Sequence, residues 1–267
     1  TTWSNTGLFT NSGTTTLNNL TSFTSVGFTN SGTTTMSSAT TFDINNGDLL
    51  NNASGVIIYG GTNINVERNW TNTGTFDVTG KNVIFDGTSS DNTTFTCTGS
   101  TFAGSITINK TSTNTFVPVN DCTIAGSFTR TDGILSNPAA PTTLTIQGNL
   151  SVSTTDALFG ANLTGITLSG SNDQTLSYSG PALTIPITIN KTGGTASLGT
   201  NLTTSSNLIF SAGTFDANGY TSTFPNLVTL PTGATYIASS TTQTFNGGLT
   251  VSGGTFTGGT GTLDING

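Results

Sequence analysis

The chain has no histidine, a single glutamate and a single methionine, and only five cations along its 267 residues. Each scarcity excludes something. Without histidine there is no Ser-His-Asp machinery and no histidine-based zinc site. Arg68, Lys81, Lys110, Arg130 and Lys191 are too few and too scattered to form an electropositive groove, which excludes a phosphate-backbone partner. Charged residues make up 6%, against roughly 25% in ordinary soluble domains. No apolar run of about 20 residues exists, so no segment reads as a membrane-spanning helix. No basic-then-apolar leader precedes Thr1, which reads as a chain that starts after a cleavage point or is cut from something longer.

Ser, Thr, Asn and Gly dominate what is present. Such a composition suggests disorder, but disorder goes with high net charge and few aromatic or β-branched residues. Here the net charge is −7, and sixteen Phe are spread among many Val, Ile and Leu. Thr is itself β-branched and suits a pleated, half-buried surface. The composition is that of a folded all-β protein.

The phrase FTNSGTTT occurs at residues 9–16 and again at residues 28–35, an interval of 19. That period suits one coil of a β-solenoid. The same grammar of a short alternating run closed by an Asn- or Gly-rich corner continues downstream. WSNTGLF at residues 3–9 is echoed by WTNTGTF at 70–76, and SAGTFDANG at 211–219 by SGGTFTGGTG at 252–261. ITINKT appears at residues 106–111 and 187–192, an interval of 81, close to four coils of about 20 residues. An 81-residue offset also fits tandem immunoglobulin-like sandwiches. The 19-residue repeat and the missing Cys-Trp-Cys pattern select the solenoid instead. The fold expected is all-β: one continuous right-handed parallel β-solenoid over residues 1–267, of about 13 coils, with possible sub-blocks 1–80 and 81–267.

Stacking explains the composition. Successive coils lie about 4.8 Å apart, so like residues lie over like, and stacked charges of one sign repel. Asn and Gly suit the corners, where positive φ and side-chain-to-backbone bonds are needed.

Residues 166–180 (ITLSGSNDQTLSYSG) and 187–221 (ITINKTGGTASLGTNLTTSSNLIFSAGTFDANGYT) resemble the Thr/Gly/Asn-rich β-solenoid repeats of large bacterial secreted surface proteins, of adhesin or stalk type. The resemblance covers residues 83–267 and is one of style. It implies an extracellular or cell-surface location and a structural class, and it points to no particular activity.

Candidate chemistry is sparse. Catalysis on an acidic polysaccharide needs clustered carboxylates with Arg or Lys to hold the substrate. Asp86 with Asp91, and Asp121 with Asp132, are the nearest approaches, and they read as loop caps. Asp43, Asn45 and Asp48 offer oxygens but lack the acidic density of a calcium loop. No cofactor and no enzyme activity are expected. Thr-x-Thr pairs such as Thr14/Thr16, Thr33/Thr35, Thr71/Thr73/Thr75, Thr94/Thr96/Thr98 and Thr111/Thr113/Thr115 raise a less favoured, ice-binding reading, which their uneven spacing weakens.

Cys97 and Cys122 are either a disulfide or two small buried apolar residues, and the secreted look of the composition favours the bridge. Trp70, Tyr59, Tyr178, Tyr220 and Tyr236, with Trp3, are candidate exposed aromatics for stacking on cell-surface glycans. The remaining expectation is structural work. Solenoid ends are open edges unless capped, and neither end carries an evident cap. Head-to-tail self-association into extracellular filaments is therefore expected, through Trp3 and Phe9 (residues 1–9) at one edge and Phe256, Leu263 and Ile265 (residues 254–267) at the other. The alternative is a stalk or glycan-contacting adhesive module of a longer surface protein.

Overall fold

The structure is a computed structural model that describes residues 2–88, 93–111, 114–136, 139–153 and 162–267. It is all-β, with parallel strands stacked as a β-solenoid of about 12 turns at a spacing of ~21 residues. The coil is slightly longer than the 19-residue repeat suggests, so there are fewer of them. Among the described residues the only helical element is one 3-10 turn, Thr98–Ser100. Two compact units are formed: Thr1–Gly126 with Thr131–Ala140, and Ser127–Arg130 with Pro141–Gly267.

In the first unit each coil contributes short strands whose alternate residues point inward. One inner column runs Trp3, Phe23, Phe42, Ile64, Val83, Ile106. A second runs Phe9, Phe28, Leu49, Trp70, Phe95. The rings touch along and between columns: Trp3 stacks on Phe23 at 4.5 Å, and Phe9 on Phe28 at 5.0 Å. Such aromatic pairs add to plain area burial.

The two copies of FTNSGTTT lie directly over one another, Phe9 on Phe28 and Thr14 on Thr33. Their asparagines do not face solvent at a corner. Asn11, Asn30, Asn51 and Asn72 form an axial amide ladder, with Nδ2 donating to the next Oδ1 at 3.0, 2.8 and 2.8 Å. Within each phrase the middle Thr completes the site: Thr15 donates to Asn11 Oδ1 and Thr34 to Asn30 Oδ1, both at 3.0 Å. Asn30, Asn51 and Thr34 are fully buried, and buried polar groups are tolerated because they are satisfied. The glycine of the phrase is needed for close approach, since a Cβ on Gly32 would collide with the carbonyl of Gly13.

The second unit repeats the plan. Its inner columns run Leu144, Ile166, Ile187, Leu208 and Ala196, Phe215, Tyr236, Phe256. A third runs Phe224, Phe245, Ile265. Threonines line the outside, as in the column Thr195, Thr214, Thr235, Thr255. Corners turn on Asn-Gly: Asn218 and Gly219 have φ of 49° and 85°, a conformation these two residues adopt most readily.

Candidate functional site

Cys97 and Cys122 are joined by a disulfide, with Cα atoms 5.7 Å apart. The bridge ties neighbouring turns of the first unit, and both cysteines are buried.

The candidate exposed aromatics require correction. Trp70, Tyr59, Tyr178 and Tyr236 are all buried. They occupy inward positions of their strands, where packing outweighs display. Trp70 lies between Leu49 and Phe95, and Tyr236 between Phe215 and Phe256. The phenols find partners inside: Tyr59 donates to Asn63 O at 2.7 Å, and Tyr236 bonds Gln243 Oε1 at 2.6 Å. Burial pushes the Tyr59 phenol up to about 12 and that of Tyr236 further in the same direction. Tyr220 and Trp3 are half-buried. The four buried rings have no face open to a sugar.

Of the carboxylates read as loop caps, Asp132 is one, whereas Asp86 lies within the strand Asn82–Gly87. Asp132 accepts from Gly133 N at 2.7 Å, and Asp48 from Asn69 Nδ2 at 3.0 Å. Asp91 lies outside the described residues. Asp43 and Asp86 are half-buried on one face with Glu67 nearby. Desolvation raises both pKa values; the charges of Asp43 and Glu67 add to the effect at Asp86. Among the described residues no group of three His, Cys, Asp or Glu side chains is placed to hold a metal ion. Of the Thr-x-Thr pairs, Thr14/Thr16 and Thr33/Thr35 do align, but Val56 and Ile58 interrupt the array on the next coil. Thr113 lies outside the described residues.

The cations hold a surprise for the sequence reading. Lys110, Arg130 and Lys191 are buried. Lys191 Nζ donates to Ser169 O at 3.1 Å, Asn172 O at 2.6 Å and Gln174 Oε1 at 2.6 Å. Burial pushes its pKa down, and Asp173 partly opposes that. Lys110 Nζ reaches Glu67 O at 2.6 Å and Asp86 O at 3.3 Å. Lys81 donates to Tyr59 O and Gly61 O at 3.0 and 2.9 Å. Each ammonium thus braces carbonyls of a preceding coil. Space for the buried stems comes from left-handed glycines on both sides. Lys110 lies between Gly87 and Gly133, with φ of 97° and 84°. Lys191 lies between Gly170 and Gly213, with φ of 87° and 89°. The repeated ITINKT phrase is therefore a brace motif, and its signal was the glycine about one coil upstream of each copy.

The terminal coils carry the remaining candidate residues. On the first, Trp3 and Phe9 hold inward columns but are covered from one side only, and Leu8 is 61% exposed. On the last, Val251, Phe256, Leu263 and Ile265 continue the inward columns of Leu230, Tyr236, Gln243 and Phe245. Yet Val251, Leu263 and Ile265 are 51%, 44% and 46% exposed. Each terminal strand pairs with one neighbour: Thr2–Asn11 with Ser22–Asn30, and Leu263–Ile265 with Gln243–Phe245. Both coils thus carry inward-column residues in the same register as the coils they pack on.

Fold and repeats define the class: this is a parallel β-solenoid repeat protein. No protein-family profile, no curated protein and no solved structure matches the chain. No helix among the described residues is long and apolar enough to cross a membrane.

Proposed function

We propose that this protein is a non-enzymatic structural element of the cell exterior, a β-solenoid whose copies associate head to tail into surface filaments. The observation that carries the reading is that Trp3 and Phe9 on the first coil, and Phe256 and Ile265 on the last, hold the inward columns, so that a further coil can stack on each. An open strand edge recruits another strand unless it is blunted by charge, proline or a cap. Trp3 and Phe9 on one coil, and Phe256, Leu263 and Ile265 on the other, would continue each other's inward columns in a heterologous contact that does not close into a ring. The disulfide and the low charge support the extracellular setting.

A second reading is a stalk, in which the same faces stack on further repeats of one longer chain. The resemblance of residues 187–221 to surface-protein repeats favours it. Light scattering against protein concentration separates the two. The filament reading expects mass to grow with concentration, and growth to stop in Trp3→Lys and in Ile265→Lys, with circular dichroism unchanged. A strictly monomeric wild type at every concentration would select the stalk.

A further inference from the structure

One face of the second unit repeats a regular axial bond. Ile166 N–H donates to Pro186 O at 3.0 Å, Ile187 to Asn207 O at 3.0 Å, and Val228 to Gly248 O at 3.1 Å. Leu208 holds the same column, one coil after Ile187, and Leu227 precedes Val228 as Asn207 precedes Leu208. Here the corresponding bond, from Leu208 N–H to Leu227 O, is not made. Val228–Pro231 does not pair with Leu208–Asp216 either; it joins only Leu249–Ser252, in a separate two-stranded sheet. The break is local. On one side Asn226 Nδ2 donates to Asn207 Oδ1 at 2.7 Å, and on the other Gly213 N–H donates to Gly233 O at 2.8 Å.

The break opens outward as a cleft of about 590 Å³ lined by Asn207, Ile209, Asn226, Leu227, Thr229 and Pro231. Its chemistry is mixed but wholly uncharged. Ile209 and Leu227 are 41% and 54% exposed and supply an aliphatic wall. The Asn pair uses one N–H of Asn226 and the oxygen of Asn207. That leaves the Asn207 amide hydrogens as donors and the Asn226 oxygen as an acceptor, on two exposed side chains, for a ligand to use. The Thr229 hydroxyl and the Leu208 N–H lie at the same opening.

We infer that this cleft binds a neutral saccharide. A pyranose ring offers an aliphatic C–H face for Ile209 and Leu227, and hydroxyls that both donate and accept for the paired amides. A uronate or phosphate would lose hydration with no cation lining the cleft to compensate. A purely apolar ligand would leave the amides and Leu208 N–H unpaired. A through-running peptide strand is blocked, because the ladder closes again at Asn207–Asn226 and at Gly213. The inference is independent of coil stacking, since none of the lining residues is among those assigned to the terminal contact.

The test is a two-dimensional NMR titration of the full chain with cellobiose, maltose, lactose and N,N′-diacetylchitobiose, and with digalacturonate as the anionic control. At least one neutral disaccharide is expected to shift the Leu208, Ile209 and Leu227 amides saturably, with no shift from digalacturonate. Asn226→Ala should weaken binding about fivefold, the loss of one hydrogen bond. Ile209→Lys should abolish it, while Val119→Lys, in the first unit and outside the cleft, should leave it unchanged. All three positions are exposed, and an unchanged melting temperature verifies that each variant is folded. The inference is overturned if no neutral disaccharide moves these amides at tens of millimolar, if digalacturonate or an extended peptide binds there instead, or if Ile209→Lys binds like the wild type.

Discussion

Replacing Asn30 by alanine tests whether the amide ladder holds the first unit together. Asn30 is fully buried. It donates to Gly32 O at 2.9 Å, Asn51 Oδ1 at 2.8 Å and Val56 O at 3.2 Å, and it accepts from Asn11 and Thr34, both at 3.0 Å. Truncation removes the central member and takes a partner from polar groups on three coils. Each abandoned buried group costs about 1–3 kcal/mol. Some of these groups keep other bonds: Asn11 Nδ2 still reaches Thr33 O and Thr34 Oγ1, both at 3.0 Å, and Gly32 O still accepts from Val56 N–H at 2.8 Å, whereas Asn51 Oδ1 loses the amide that Asn30 donates to it. The net loss is therefore put at about 3–5 kcal/mol, or a melting temperature lower by about 10 °C. Trp3 and Trp70 are the only tryptophans and both lie in the first unit, so urea denaturation followed by tryptophan fluorescence reports on that unit. Asn65→Ala is the control: it is half-buried on an outer position opposite Asp43 and Ile84, and should cost less than about 0.5 kcal/mol. Equal costs for Asn30→Ala and Asn65→Ala would refute the ladder as a source of stability.

Other perturbations follow from the same geometry. Lys191→Met should destabilise the second unit by about 2–3 kcal/mol by stranding three acceptors, and Gly213→Ala by about 1–3 kcal/mol, because φ is +89° and the new Cβ would meet Lys191; thermal melts followed by circular dichroism check both. Cys97 and Cys122 close a 25-residue separation, so Cys97→Ala/Cys122→Ala should lose about 3.5 kcal/mol on the chain-entropy estimate, measured by urea titration. Burial, with Asp43 and Glu67, raises the Asp86 pKa above 3.8. The folded state then favours the protonated acid, so this contribution is present below pH 3.8 and lost as pH rises through the folded value. Asp86→Asn should accordingly raise the melting temperature at pH 7 and leave it unchanged below pH 3.8.

The stacked coil and its threonine-coated exterior were legible in the sequence because FTNSGTTT repeats at the coil length itself. Phe9 on Phe28 and Thr14 on Thr33 follow from that interval. The fate of the remaining aromatics was not legible, because coil length drifts. Trp70 pairs with Leu49 at an offset of 21 but with Phe95 at 25, and only the register shows which residues point inward. The buried lysines escaped for a different reason. Lysine is rarely fully buried, and what admits it here is a left-handed glycine in each flanking coil, a relation among three distant residues. Asn suits a corner, as at Asn218, but Asn11 and Asn30 lie inside the coil, where a Thr four positions on donates to each. The ladder break at Leu208 has no mark in the sequence: Leu208, Leu227 and Val228 read like any other strand.

The account's central claim is that the terminal coils are faces for further coils. Electron cryo-microscopy across a concentration series tests it most directly. Unbranched fibres are expected, in which the coil repeat of about 4.8 Å runs uninterrupted through each junction, with Trp3 and Phe9 of one copy over Phe256 and Ile265 of the next. Separate single copies at every concentration, or fibres joined through lateral faces, would contradict it.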